Sequence, residues 1–365
     1  MKSNVIYLLA AFLLLVSCSK DSETKAPLEA PLVYSISPQI GRPGTVITIE
    51  GENFSRLRVD NKISFNGVKA EIIHFNERTI HVRAPEGSSD GPVTVNVAGR
   101  SVEGPSFQFI QPPKPTGETI VVKVLSMGIQ PFAATSANRT ESIMEYLAGI
   151  AKSRDVDFMI AREVDSVTNR SKQVDRPLRL AELSGLKHYM FSRAILAGYQ
   201  GGQFGLSVYS KHPIVEERSV SLNNNRTVGF MKVQITPKSQ MVIAGVQLED
   251  VVNSQALREA QANLLISTLN DIMVPTVLAG GIFMLDQQPE KDPTFQLLSK
   301  AGYVPGCTAC EWTFPASATV NSIADFISYR WSREARVIKY ETLDVAPAPG
   351  SGNRRPVYAE IEFKL

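Results

Sequence analysis

Histidine and cysteine are scarce in this chain, with four and three among 365 residues. A structural zinc site draws about four such ligands into one place, and nothing here clusters in that way. Excess charge of one sign is also missing. Lys and Arg number 38 against 36 Asp and Glu, for a net charge of +2. A nucleic-acid partner would need a basic face or stripe, and adhesion to a membrane by charge would need a polybasic segment. Neither is present. The apolar run Val5–Val16 is too short to span a bilayer. No internal repeat or low-complexity run is visible. What remains is ordinary globular material: 43% hydrophobic residues and a length that suits two or three domains.

The start of the chain reads as a targeting segment. Lys2 supplies a positive charge, the apolar run follows, and Leu15-Val16-Ser17-Cys18 resembles a lipobox. That resemblance implies lipidation of Cys18, with residues 1–18 as signal peptide and lipidation cysteine, and membrane attachment through lipid. Ser19-Lys20-Asp21-Ser22-Glu23 is similar to the charged export tag of surface lipoproteins in some Gram-negative bacteria. The expected location is the outer membrane, at the cell surface, with the periplasmic face as the alternative. Residues 19–30 are polar and read as a flexible tether. Setting Cys18 aside leaves Cys307 and Cys310. In an oxidising compartment a Cys-x-x-Cys pair defaults to a small-ring disulfide. A zinc site would lack two ligands, and a redox motif would lack its βαβ setting.

Residues 31–110 alternate in the manner of short strands. Val46-Ile47-Thr48-Ile49-Glu50 and Val93-Thr94-Val95-Asn96-Val97 are β-branched runs, and Gly41, Gly44, Gly51, Gly67 and Gly91 mark turns between such segments. This predicts a small all-β sandwich. Ile36-Ser37-Pro38, Gly41-Arg42-Pro43-Gly44-Thr45, Ile49-Glu50-Gly51-Glu52-Asn53-Phe54 and Phe65-Asn66-Gly67 resemble an IPT/TIG immunoglobulin-like domain. The resemblance implies a spacer or interaction module without catalysis. Three prolines within residues 111–118 then make a stiff linker.

Residues 119–365 change rhythm. Strands are predicted at Ile120–Ser126, Phe158–Ala161, Leu206–Ser210, Met231–Ile235, Met241–Leu248 and Val274–Ala279. Helices are predicted over Arg139–Lys152 and Ser254–Asp271, the second with Ala256, Ala260, Leu264, Leu265 and Leu269 on or near its apolar face. Strands interspersed with helices predict two sheets covered by helices. Seven segments in order resemble the endonuclease/exonuclease/phosphatase family, an α/β four-layer sandwich of the DNase I type. Val124–Gln130 sits where the family's first strand commonly ends Ser-Phe-Asn-Ile-Arg. Ile160-Ala161-Arg162-Glu163-Val164-Asp165 is similar to Ala-Leu-Gln-Glu-Val-Asp. Gly201–Ile214 follows the family's Gly-Gly-Glu-Tyr-Gly-Asn-Ala-Ile-Leu-Ser-Arg-Tyr-Pro-Ile. Val246-Gln247-Leu248-Glu249 stands for Thr-His-Leu-Asp, Gly280-Gly281-Ile282-Phe283 for Gly-Asp-Phe-Asn, Ala324-Asp325-Phe326-Ile327 for Ile-Asp-Tyr-Ile, and Asn353-Arg354-Arg355-Pro356-Val357 for Asp-His-Arg-Pro-Val.

Members of that family hydrolyse phosphate esters with Mg²⁺ or a similar hard cation, a base for the attacking water and polar groups that position it. The resemblance places the metal-binding carboxylate at Glu163 and the carboxylate that orients the catalytic His at Asp325. The other six of eight positions are changed: Gly128 for Asn, Gln247 for the phosphate-gripping His, Gly281 for Asp, Phe283 for Asn, Asn353 for Asp, and Arg354 for the catalytic His. Arginine stays protonated and cannot serve as a base. Each lost group commonly costs on the order of 10²–10⁴ in rate. The remaining histidines do not compensate. His74 and His81 lie in the β-domain, His188 leads into a strand, and His212 matches an aromatic frame position with a packing role.

The expectation is therefore an emptied cleft that binds rather than cuts. Ligand contacts are expected from Glu163, Gln247, Phe283, Asp325, Asn353 and Arg354, with Trp312, Tyr303 and Phe314 walling its mouth. Glu163 and Asp325 equally fit a structural role, hydrogen-bonded to backbone or to Arg354. A small polar ligand such as a polysaccharide unit suits amides, acids and a ring. Two alternatives stand beside this reading: a phosphodiesterase or phosphatase with an atypical site on Glu163 and Mg²⁺ or Mn²⁺, and an envelope scaffold that binds a protein partner. No cofactor is expected for the binding module.

Overall fold

The computed structural model describes residues 29–110, 113–129, 137–315, 321–344 and 354–365. Cys18, the signal segment, all but the last two residues of the tether, and Asn353 lie outside the described residues. The chain divides into two compact units, Met1–Phe109 and Ile110–Leu365. The first is a sandwich of a four-stranded and a five-stranded sheet. Inward residues of its alternating strands form one core, with Ile47, Ile49, Ile80, Val82, Val93 and Val95 fully buried. Phe65 and Phe107 meet edge to face at its centre, ring centroids 5.4 Å apart. His74 and His81 stand on neighbouring strands of the four-stranded sheet.

The second unit has two six-stranded sheets packed face to face. One runs, in spatial order, His188–Tyr199, Gly202–Ser210, Phe158–Ser166, Thr119–Gly128, Val357–Lys364, Ala335–Thr342. The other runs Ile214–Ser221, Thr227–Thr236, Ser239–Gln247, Thr276–Gly281, Phe326–Arg330, Val304–Pro305. Each sheet is mainly antiparallel with one parallel pair, 119–128 with 158–166 and 239–247 with 276–281. The period of two in these strands sorts side chains between layers. Phe158, Ile160, Ile243, Val277 and Ala279 face the space between the sheets. Leu125, Met127 and Met159 point outward to the helices Ala137–Ser153 and Arg176–Ser184. Val242, Ala244, Val246 and Leu278 point outward to Gln255–Leu269 and Pro293–Lys300. The result is the helix–sheet–sheet–helix stack that the alternation of elements predicts.

Both predicted helices form, at Ala137–Ser153 and Gln255–Leu269. The apolar face assigned to the second is off. Ala256 and Ala260 are exposed, while Arg258 and Gln261 are buried beside Ala262, Leu265 and Leu269. The reason is local. Arg258 donates to the backbone oxygens of Val251 and Val252, and Gln261 Oε1 accepts from the Glu249 amide. Two polar side chains thus satisfy backbone groups of the segment 249–252, which has no ladder of its own. Helix Arg176–Ser184 has its signals in the sequence: Asp175 caps it, Pro177 sits in the first turn, and Gly185 at φ 76° ends it. The polar turns around it hide it from a search by periodicity.

Ile243 sits fully buried in the layer between the sheets. Its replacement by Ala is expected to lower the unfolding free energy of this unit by about 2–5 kcal/mol. Urea unfolding followed by tyrosine and tryptophan fluorescence reads the change, and a loss below about 1 kcal/mol would mean that the layer is not packed as described.

Candidate functional site

The strand ends at Gly128, Arg162, Gln247 and Gly281 converge on one edge of the sandwich, where Asp325 opens the Phe326–Arg330 strand. Gly128 is in register with Arg162, and Gln247 with Gly281. Strand 158–166 is bulged between Ala161 and Val164, and Glu163 inside that bulge has φ 58°. A bulge adds one residue and re-aims the side chains around it, so Arg162 and Glu163 both serve the cleft. Phe283 also has φ 58°. The left-handed region suits Asn far better than a bulky ring, and Asn is the residue that the resemblance puts there.

The centre of the site is a buried ion pair that sequence reasoning missed. Arg162 lays its fork on Asp325: Nε donates to Oδ1 at 3.0 Å and Nη2 to Oδ2 at 2.7 Å. Ser126 Oγ and the Gly128 amide complete the carboxylate's partners at 3.1 and 3.3 Å. Arg162 is 2% exposed and Asp325 0%. Burial alone would push the Asp325 carboxyl up. The Arg162 charge and hydrogen bonds outweigh it and hold the group below the usual carboxylate range. Burial works against the Arg162 cation too, and Asp325 more than restores it, so its proton is held more tightly than usual. The signal was there to find: Arg162 stands where the family word has Gln, in a strand buried on both faces.

The second pair is Arg354 with Glu163. Arg354 Nη2 donates to Glu163 Oε1 at 2.6 Å, and the guanidinium lies 5.3 Å from the Phe314 ring centroid. The two arginines occupy space left by the two glycines. A Cβ at Gly128 would lie 2.1 Å from Arg354 Nη1, and a Cβ at Gly281 would lie 2.6 Å from Arg162 Nη1. Asn and Asp side chains, which the resemblance puts at those positions, would require these guanidinium ends to move.

A pocket of about 110 Å³ opens above this network. Phe283, Phe314 and Leu248 give it apolar walls, and Arg162, Arg354 and Ser322 give it polar ones. Arg258 sits 5.2 Å over the Phe283 ring and fixes that wall. Ser322 Oγ lines the pocket, buried without a hydrogen-bond partner among the described residues; the Gln247 Oε1 at the neighbouring strand end is in the same state. Of the three aromatics expected at the mouth, Phe314 alone lines the pocket. Tyr303 lies instead in the core under the Arg330 guanidinium, and Trp312 packs at the edge of that core without lining the pocket. They move away because the loop is tied down by a Cys307–Cys310 disulfide and by paired bonds between Gln287 and Cys310. Glu163, Gln247 and Asp325 lie buried beside the pocket and Asp325 is wholly taken up by Arg162 and its neighbours. His188 begins an edge strand, and His212 pairs with Asp157 against the Phe158 ring, both away from the cleft.

This donor set does not fit a hard divalent cation. Such a cation wants about six oxygen ligands. The one carboxylate at the expected place, Glu163, already faces a guanidinium, and Gly128 and Gly281 bring no side-chain oxygen. Among the described residues no three His, Cys, Asp or Glu side chains converge as metal ligands.

Comparison with known proteins agrees with the architecture. Residues 31–109 match the IPT/TIG domain family. Solved structures of endonuclease/exonuclease/phosphatase proteins share the fold of the second unit. One from Bacteroides thetaiotaomicron is 15% identical and superposes with a TM-score of 0.52, covering 68% of this chain and all of its own. One from Beutenbergia cavernae is 17% identical at a TM-score of 0.51, covering 66% and 71%. One from Bacteroides vulgatus is 15% identical at 0.51, covering 66% and 98%. No curated protein matches the chain. The chain thus has an immunoglobulin-like IPT/TIG domain followed by a sheet-rich domain of the DNase I-like fold.

Removing one partner of the central pair strands the other in a dry site. Asp325→Ala is expected to cost about 3–5 kcal/mol in urea unfolding at neutral pH. The pH dependence follows from the lowered carboxyl. Its contribution is complete above the unfolded value near pH 4 and fades as acid protonates the folded group. The stability gap between the parent protein and Asp325→Asn should therefore shrink as pH falls from about 5 to about 2. A gap independent of pH would show that the pair is not ionised as described.

Proposed function

We propose that residues 119–365 form a phosphoesterase-like domain converted to ligand binding, carried on a lipoprotein anchored through Cys18 at the outer-membrane surface. The observation that carries this reading is the replacement of a metal-and-water site by two guanidinium–carboxylate pairs. Hydrolysis of a phosphate ester needs a base and a cation that stabilises charge developing in the transition state. The only nitrogen bases at the cleft are arginines, which do not give up protons. Of the three acids at the cleft, Asp325 and Glu163 are paired with them and Asp250 with Arg226. The cleft retains what recognition needs: two aromatic walls, a hydroxyl without a partner and guanidinium edges. A sugar unit of a polysaccharide, or another small polar molecule, matches that mixture of ring face and polar contacts. An IPT/TIG domain between lipid and binding domain then acts as a spacer.

Two measurements test the reading. With bis(p-nitrophenyl) phosphate and Mg²⁺ or Mn²⁺, the protein is expected to show no turnover above buffer. Metal-dependent turnover that disappears in Glu163→Ala would instead establish an atypical phosphodiesterase. A binding screen against polysaccharides and phosphorylated sugars is expected to yield a ligand whose affinity falls at least about tenfold in Arg354→Ala. If no ligand emerges and a protein partner is still held after deletion of residues 119–365, the protein is an envelope scaffold and the cleft is idle.

A further inference from the structure

We infer a second ligand site in the same domain, for an acidic sugar unit, in a cavity at the opposite strand ends from the cleft. Pro275 borders this cavity and Gly281 borders the cleft, and the two residues flank the same strand. The cavity measures about 170 Å³, the scale of a single sugar ring. Trp331, Val274 and Pro275 give it an apolar side. The indole is held in place because Nε1 donates to the Lys364 oxygen at 2.8 Å. A fixed ring beside aliphatic surface suits the C–H face of a pyranose.

The charged side chains that line the cavity, Lys114, Lys238 and Arg333, are all cations. None of them is in an ion pair among the described residues. The Arg333 guanidinium lies 5.1 Å from the Trp331 ring centroid and donates through Nη2 to the Pro113 oxygen. Its Nη1 is buried without a hydrogen-bond partner. A buried donor left in that state is costly unless something fills it. The Glu118 carboxylate feels the Lys238 charge, and both it and Glu334 have hydrogen-bond partners of their own. Glu118 accepts from the hydroxyls of Thr236 and Ser239, and Glu334 accepts from Lys364. The unmet demand in this cavity is for one anionic group.

The remaining polar lining asks for hydroxyl donors. Ser239 gives its proton to Glu118, so its oxygen is left as an acceptor. Gln240 gives an amide N–H to Gln234, which leaves its carbonyl oxygen as an acceptor. A ring with one apolar face, several hydroxyls and one carboxylate meets all three demands at once. That is the chemistry of a uronic acid. The inference stands apart from the cleft and holds whichever ligand the cleft takes.

Tryptophan fluorescence can read the site directly, since Trp312 and Trp331 are the only tryptophans. In the full chain with Trp312→Phe, galacturonic acid is expected to change the Trp331 signal saturably. Galactose, which lacks the carboxylate, should bind at least about tenfold more weakly. Arg333→Ala should raise the galacturonate Kd about tenfold or more, and Lys238→Ala, at an exposed position, several-fold with no change in melting temperature. Added salt should weaken the acid but not the neutral sugar. Equal binding of the two sugars, no saturable response, or an affinity indifferent to both substitutions would overturn the assignment. If Arg333→Ala does not fold, Lys238→Ala and Lys114→Ala decide alone.

Discussion

The second domain turns on one buried contact between its two sheets, the fork of Arg162 on Asp325. Arg162 belongs to a strand of one sheet, and Asp325 leads into a strand of the other. Dehydrating two charges is expensive, and their attraction repays it only when geometry is good and every lone pair is used. Here the carboxylate has four donors: two from Arg162, one from Ser126 and one from the Gly128 amide. The contact fixes the spacing of the strand ends on which the cleft is built. It does so with protein groups alone, so the edge of the sandwich is closed without help from any ligand.

The neighbouring features follow from it. A guanidinium this deep needs room, and Gly281 supplies it. A second guanidinium, Arg354, needs both room and a counter-charge, which Gly128 and Glu163 supply. Gly128, Gly281, Arg162 and Arg354 thus form one arrangement, with small residues where the two cations need space. Phe283 then closes the side on which a polar amide would have met a charged centre, and Arg258 seats its ring. The cleft is close to neutral overall, which suits recognition by hydrogen bonds and ring contact more than capture of a highly charged ligand.

Much of this was legible in the sequence, for reasons that can be named. The alternation in Val124–Met127 or Met241–Val246 reports which side of a strand faces which layer, because the pleat has a period of two. The glycine at 281 and the arginine at 354 announced the loss of a nucleophile-positioning acid and of a base. Arg162 was marked only as a cation in a buried strand, and nothing local named its partner, 163 residues away. Arg258 and Gln261 misled the reading of their helix for a different reason: their burial is decided by the backbone of the segment just before it, which periodicity does not report. Trp312 and Tyr303 were misplaced because nearness in sequence to a cysteine pair says little about which way a constrained loop turns.

The close fit of glycine against guanidinium also bears on how substitutions combine. A single change from Gly128 or Gly281 to a longer side chain meets an arginine nitrogen at 2.1 or 2.6 Å. Removing Arg162 would take the forked partner from Asp325, whereas Glu163 would still have Arg162 at 3.7 Å if Arg354 were removed. The glycines and the arginines are therefore coupled positions: the effect of a substitution at Gly128 or Gly281 depends on whether Arg354 or Arg162 is there to meet it.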